Sequence, residues 1–352
     1  MTSAAHQMLG LTLDGGWKVV EKAESRDDHT SAEFSVGYVV EDAKGRRAHC
    51  KALDWSSAME AEDVAEALQY LSNAYIFERD LLDRCRRSKM RRVVHAIADG
   101  TVSVPNTKPS RVSYLIFDEA DGDSRDVMDE TDPADFAVGL ALVRDCAVAL
   151  GQLHRGQVAH QDVKPANLLG WRQTVGWSAK LADLGRAFCE VLEGPHGDHP
   201  CPGDTNWAAP EMLYGWPVDR PRTPYDRQMA DLFSLGSLLC YVLVRVPYGS
   251  MLEMELEVEH RWHAFQGGYA EAQAVLVDAH EHATKRVCEI VHTQIRGEVE
   301  ELISDMCDPI IETRGRLSRR GGARSAFLLE RYISRLDRLA KVHPNRSGLG
   351  PR

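Results

Sequence analysis

The sequence predicts an α+β fold in which a small sheet precedes a larger, mostly helical part. Three observations carry that expectation. Short segments within residues 17–53 and 92–117 are rich in strand-forming residues and alternate in strand fashion. Residues Pro133–Arg155 read as an amphipathic helix. Leu232 to Val244 is almost wholly apolar, as in a core helix.

Taken in chain order, strands are expected at Trp17–Ala23, Phe34–Glu41, Arg47–Leu53, Arg92–Ala98 and Val112–Phe117, and Lys44-Gly45 suits a hairpin turn between the second and third. Ala58–Cys85 contains good helix formers and neither Pro nor Gly. Its apolar residues Leu68, Leu71, Ala74, Ile76, Leu81 and Leu82 mark it as one long helix. Thr131 or Asp132 is placed to cap the helix over Pro133–Arg155. Met251–Glu259 alternates with period two, but its residues favour helix, and a helix is the expectation there. Residues 260–300 are helix-prone. Ser325–Val342 reads as a final amphipathic helix and His343–Arg352 as a disordered tail.

Composition narrows the functional class. With 42 Lys and Arg against 53 Asp and Glu in 352 residues, the net charge of −11 argues against nucleic acid as a general partner. Eight cysteines without framework spacing imply reduced thiols and a cytoplasmic setting. The first residues lack a basic, apolar leader, and no run is expected to reach the roughly 20 apolar residues of a membrane span.

Ten residues carry the chemistry. From His160 to Leu169 the chain reads His-Gln-Asp-Val-Lys-Pro-Ala-Asn-Leu-Leu, which sets Asp162, Lys164 and Asn167 at fixed offsets. In a short loop, such a set lets a carboxylate orient a hydroxyl nucleophile, a lysine neutralise a phosphoryl oxygen, and an amide hold a metal ion. The run closely resembles the catalytic loop His-Arg-Asp-x-Lys-x-x-Asn of eukaryotic-like (Hanks-type) Ser/Thr protein kinases. Three further motifs follow in the family's order. Asp183-Leu184-Gly185 is similar to Asp-Phe-Gly, and Ala209-Pro210-Glu211 to the Ala-Pro-Glu that closes the activation segment. Asp231 and Gly236 resemble the Asp and Gly of the central helix.

The resemblance covers roughly residues 16–316 and implies a bilobal protein-kinase-like fold. Its parts are an N-terminal extension (1–15), an antiparallel-sheet N-lobe (16–118), a larger helical C-lobe (119–342) and the tail. It implies ATP and Mg²⁺ as cofactors, a protein substrate as partner, and in-line transfer of the γ-phosphoryl group to a Ser or Thr hydroxyl. Asp162 then orients the hydroxyl and takes its proton, Lys164 stabilises the moving phosphoryl, and Asn167 and Asp183 hold the metal. Lys51 fits the strand lysine that reaches the α- and β-phosphates. Glu60, Glu62, Glu66 and Glu78 are candidates for its partner, and Glu78 is chosen because the next strand follows it at the family interval. The span from Lys51 to Glu78 exceeds the common one, which implies an extra turn or short helix ahead of the main helix. Phe117 is placed as gatekeeper, with Glu119 and Ala120 at the adenine edge. Arg314 or Arg316 is the expected partner of Glu211.

Departures from the family concentrate near the nucleotide. Counted back from Lys51, the three glycines of Gly-x-Gly-x-x-Gly-x-Val fall near His29, Ser31 and Phe34, with Val36 covering adenine, and Ser25–Glu33 contains no Gly. His49 stands where a small residue is usual and can crowd adenine. Gln161 replaces an arginine that pairs with a phosphate on the activation segment. Activity independent of such phosphorylation is therefore expected, Thr205 being the only Ser or Thr between Asp183 and Glu211. His196, His199 and Cys201 match no common zinc spacing and are read as loop residues. The basic stretch Arg314–Arg324 reads as a solvated face, with docking of an acidic partner as its alternative. Two alternatives stand beside the Ser/Thr kinase: a pseudokinase-like nucleotide-binding regulator, and a small-molecule kinase of aminoglycoside phosphotransferase type. The Lys164 and Ala-Pro-Glu features disfavour the latter.

Overall fold

In the computed structural model, which describes residues 3–23, 35–131, 136–315 and 329–342, the chain divides into two units. The first comprises Met1–Lys89, Val94–Ala120 and Leu192–Pro195, and the second comprises Met90–Val93, Asp121–Val191 and His196–Arg352. The boundary at Ala120 lies two residues beyond the one expected from the motifs.

The first unit is built on an antiparallel sheet in the order β1-β2-β3-β5-β4. Its strands are β1 (Lys18–Lys22), β2 (Ser35–Glu41), β3 (Arg47–Leu53), β4 (Ala96–Ser103) and β5 (Arg111–Asp118). Alternation decides what each face carries. Val36, Tyr38 and Val40 of β2 join Ala48, Cys50 and Ala52 of β3 in a buried core with Ala4, Ala5, Met8, Leu13 and Trp17. Ala4, Ala5, Met8 and Leu13 of the expected N-terminal extension thus lie within this unit's core. Tyr38 clasps them by donating to Ala5 O at 2.8 Å. Lys51 and His49 point the other way, and the register sets Gly37 opposite Lys51 and Val39 opposite His49.

The helical stretch breaks into α1 (Ser56–Met59) and α2 (Val64–Arg87), the short leading helix that the long interval implied. Asp63 starts α2 by accepting the Glu66 amide at 2.9 Å. The fourth strand begins at Ala96 and not at Arg92. Arg92 and Val93 belong to the second unit, where Leu181 N donates to Arg92 O and Val93 bridges Leu181 in parallel.

In the second unit, short strands β6 (Gly122–Asp123), β8 (Leu168–Arg172) and β9 (Trp177–Leu181) form one sheet, and β7 (Val158–Ala159) pairs with β10 (Phe188–Cys189). Helices α3 (Ser124–Asp129), α4 (Phe136–Arg155), α5 (Pro210–Leu213), α6 (Pro224–Val244), α7 (Tyr248–Met254), α8 (Tyr269–Ile290), α9 (Arg296–Met306) and α10 (Glu330–Leu339) supply the rest. Of residues 251–259, the first four close α7 and the last two lie in a 3₁₀ turn at Val258–His260, with a non-helical link at 255–257 between them. The Thr131 hydroxyl turns back to donate to Val127 O of α3, and Asp132 lies outside the described residues.

Contrary to the expectation that no run is long enough, α4 and α6 have the length and apolar composition of membrane spans. Their apolar windows are 67% and 78% buried inside the fold, so both are its core helices. Thr223 and Asp226 form a reciprocal capping box at the start of α6. Gly236 lets α6 meet α9, since a Cβ there would run into Cys307 Sγ and Met306 Cβ.

Candidate active site

Each unit carries part of the set. In the first, Lys51 Nζ donates to both oxygens of Glu78, at 2.9 and 3.0 Å. The Lys51 side chain is 26% exposed and that of Glu78 9%, so the carboxylate is the more deeply buried partner. Of the four glutamates considered, Glu78 is the one that pairs with Lys51.

Val36 is misplaced by the sequence count. It pairs with Ala52 and lies in the core on the face away from Lys51. Val39, three positions later, shares the face of Lys51 and His49. Gly37-Tyr38-Val39 therefore fits the closing Gly-x-Val of the glycine pattern. The five-residue connection Asp42–Arg46 closes the hairpin early, so a fixed count back from Lys51 overshoots. A Cβ on Gly37 would stand 3.1 Å from His49 Cε1 and 3.2 Å from Ala23 Cβ, which makes glycine the fitting residue. The positions counted to His29, Ser31 and Phe34 lie outside the described residues.

Phe117 pairs across β5 with His49 and so lies in the same row as Val39. Burial, aided by the Lys51 charge, pushes His49 down to about 4, so its ring is neutral at pH 7. Arg47 Nε meets the Glu119 carboxylate at 3.3 Å, and Arg46 pairs with Asp118. The Glu119 side chain is thereby engaged.

In the second unit Asp231, 1% exposed on α6, anchors the loop. Its carboxylate accepts the His160 amide at 2.8 Å, the Gln161 amide at 2.7 Å and His154 Nε2 at 2.9 Å. These bonds hold Gln161 at φ +63°, a left-handed conformation unfavourable to a side-chain-bearing residue. His160 Nδ1 accepts the Asp162 amide at 3.2 Å while Nε2 lies 2.9 Å from Ala182 O, a network that assigns the proton to Nε2. His160 thus ties the loop to the strand leading into Asp183, itself at φ +60°.

Asp162 is 6% exposed and closely held. Oδ1 accepts the Asp204 amide at 2.9 Å. Oδ2 accepts Asn167 Nδ2 at 3.0 Å and lies 3.2 Å from Lys164 Nζ. Burial raises its carboxyl above the ordinary value, against the pull of Lys164 and the Asp204 amide, with Asp183 adding to the rise. Asp204 was not foreseen. Besides its amide bond to Asp162, its carboxylate stands 3.8 Å from Lys164 Nζ. Gly203 permits that approach, because any Cβ there would strike Gln161 O and come within 2.9 Å of Asp162 Oδ1.

Asn167 also donates Nδ2 to Asp162 O at 2.8 Å, which turns Oδ1 into the atom suited to a cation. Asn167 and Asp183 fit a hard cation that completes its shell with phosphate oxygens and water. Among the described residues no group of three or more His, Cys, Asp or Glu is placed to hold a metal. His196 lies beside Arg186 at 3.5 Å, and His199 Nδ1 accepts the Cys201 amide at 3.2 Å.

Glu211 and Arg314 form the expected pair, both fully buried, with Nη1–Oε1 at 2.7 Å and Nη2–Oε2 at 2.8 Å. Arg316 lies outside the described residues.

The protein kinase domain family matches residues 35–319, and the chain belongs to that family. It is 31% identical over 130 residues to the mouse dual specificity testis-specific protein kinase 1, covering 36% of this chain and 19% of that one. Over 125 residues it is 27% identical to an Arabidopsis thaliana protein named as an inactive serine/threonine-protein kinase/endoribonuclease IRE1-like, covering 34% and 21%. A probable serine/threonine-protein kinase, kinX, of Dictyostelium discoideum is 30% identical over 107 residues, covering 30% and 8%. The chain thus spans about a fifth or less of these relatives' length.

Proposed function

We propose that the protein transfers the γ-phosphoryl group of Mg-ATP to serine and threonine hydroxyls of a protein substrate. The observation that carries the reading is the Asp162 cluster, a buried carboxylate raised toward basicity and fixed by Asn167, Lys164 and the Asp204 amide. Asp162 orients the acceptor hydroxyl and takes its proton as the phosphoryl leaves ADP. Lys164 sits beside that proton acceptor and neutralises the transferring oxygens. Lys51, steadied by Glu78, holds the α- and β-phosphates. Asn167 and Asp183 hold the Mg²⁺, which when bound offsets the charge developing on the phosphate oxygens. Val39, His49 and Phe117 line the nucleotide base, and Val39 takes the part first given to Val36. The eight free thiols, seven of them buried, suit a reducing, cytoplasmic setting.

Phosphoamino-acid analysis tests the acceptor class. Incubation with Mg-ATP and a mixed protein substrate is expected to yield phosphoserine and phosphothreonine. A product dominated by phosphotyrosine would overturn the Ser/Thr assignment, to which the dual-specificity name of the mouse relative gives point.

A second reading, a nucleotide-binding regulator without transfer, draws on His49 and on the relative named as inactive. His49 also yields a prediction. Its imidazole fills space in the row with Val39 and Phe117, so His49→Ala is expected to lower the KM for ATP by roughly threefold or more with little change in kcat, as for an obstacle removed from binding alone. Steady-state kinetics at varied ATP checks this, and an unchanged or raised KM counts against a crowding role.

A further inference from the structure

Gln161 occupies the position at which the family carries an arginine, and the structure supplies a different cation beside it. Arg227, on the first turn of α6, is 4% exposed. Its Nη1 donates to Gln161 Oε1 at 2.6 Å, its Nη2 donates to Gly197 O, and its guanidinium lies 4.4 Å over the Phe188 ring. Arg222, just ahead of α6, donates to the carbonyls of Gly197, Asp198 and His199 at 3.3, 3.1 and 2.9 Å. Every one of these acceptors is neutral, and burial pushes Arg227 down to about 10, the mark of a desolvated guanidinium.

The amide of Gln161 fits this centre as an arginine could not. Nε2 donates to Arg186 O at 3.0 Å while Oε1 accepts from Arg227. An arginine side chain has five donors and no acceptor, and at position 161 it would set a second cation against Arg227. The loss of the family arginine and the presence of Arg227 are therefore one feature. Gly197 and its neighbours lead directly to Gly203 and Asp204, whose amide holds Asp162 Oδ1.

We propose that Arg227, with Gln161 as its acceptor, is a positioning residue that holds the activation segment in its working conformation without any phosphate. The inference rests on the reading of residues 160–169 as a kinase catalytic loop. Amide hydrogen exchange over Gly197–Asn206 tests it on the full chain, before and after treatment with a nonspecific protein phosphatase, and in Arg227→Met and Gln161→Met. Phosphatase is expected to leave the wild-type exchange unchanged. Both variants should speed exchange in this stretch on the order of tenfold, and lower kcat with the KM for ATP unchanged. The proposal is overturned if phosphatase alone loosens the stretch, or if Gln161→Met leaves its exchange at the wild-type level. Should Arg227→Met fail to fold, Gln161→Met decides, because it removes the Oε1 acceptor, together with the Nε2 bond to Arg186 O, and keeps the buried cation. Exchange is readable in a chain with no transferase activity, so failure of the clamp and failure of the kinase reading are separate results.

Discussion

Lys51→Met is expected to lower phosphoryl transfer on the order of 10²–10³-fold, the usual effect of deleting one preorganised donor to developing charge. Lys51 Nζ is held by both oxygens of Glu78 at 2.9 and 3.0 Å. Methionine keeps the length of the side chain and its packing but not the charge. The buried Glu78 carboxylate loses the Lys51 ammonium, a loss of about 1–3 kcal/mol that protonation of Glu78 can relieve. Glu78→Gln leaves the lysine charged and less firmly directed, so its rate is expected to fall between those of wild type and Lys51→Met. Steady-state kinetics on the three proteins, with thermal melts as a control for folding, decides the matter. Wild-type kinetics in Lys51→Met would falsify the role given to this pair.

Arg314→Met is expected to destabilise the second unit by about 3–5 kcal/mol, the penalty for stranding a buried charge. The guanidinium gives Nε to Asp308 O at 2.8 Å, Nη1 to Met229 O at 2.9 Å, and both terminal nitrogens to Glu211. It lies 5.3 Å over the Phe233 ring. Removing it leaves Glu211 fully buried next to the activation segment without a counter-charge. In a unit of this size the melting temperature should drop by about 10 °C. Adding Glu211→Gln to Arg314→Met should cost less than the sum of the two single changes, since the stranded charge is gone. Strict additivity, or a melt unchanged by Arg314→Met, would show that the pair does not hold this region.

The catalytic loop, Asp183, Glu211 and Asp231 were legible because each lies in a short run whose residue types are fixed by local chemistry. Lys51 and Glu78 were legible through an interval, helped by the absence of Pro and Gly in the helix between them. The same arithmetic failed for Val36. A hairpin connection of another length moves the pattern along the strand, and a change of parity moves a side chain to the opposite face. The fourth strand began late because Arg92 and Val93 pair with Leu181, a contact 88 residues away that no local pattern encodes. Apolar length misled in the opposite sense, since α4 and α6 are apolar enough for a membrane yet form the core of the second unit. Asp204 and Arg227 were invisible for one reason. Each acts through a partner 42 or 66 residues distant and belongs to no motif.

The most direct test is the rate of γ-phosphoryl transfer from Mg-ATP to a protein substrate by wild type and Asp162→Asn, measured in parallel at saturating ATP. Asparagine keeps the shape of Asp162 and removes its capacity to take the proton. Transfer by the wild type and a fall on the order of 10²–10⁴-fold in Asp162→Asn are predicted. Equal rates in the two proteins, or no transfer by the wild type while ATP is bound, would contradict the assignment of this site as a phosphotransferase centre.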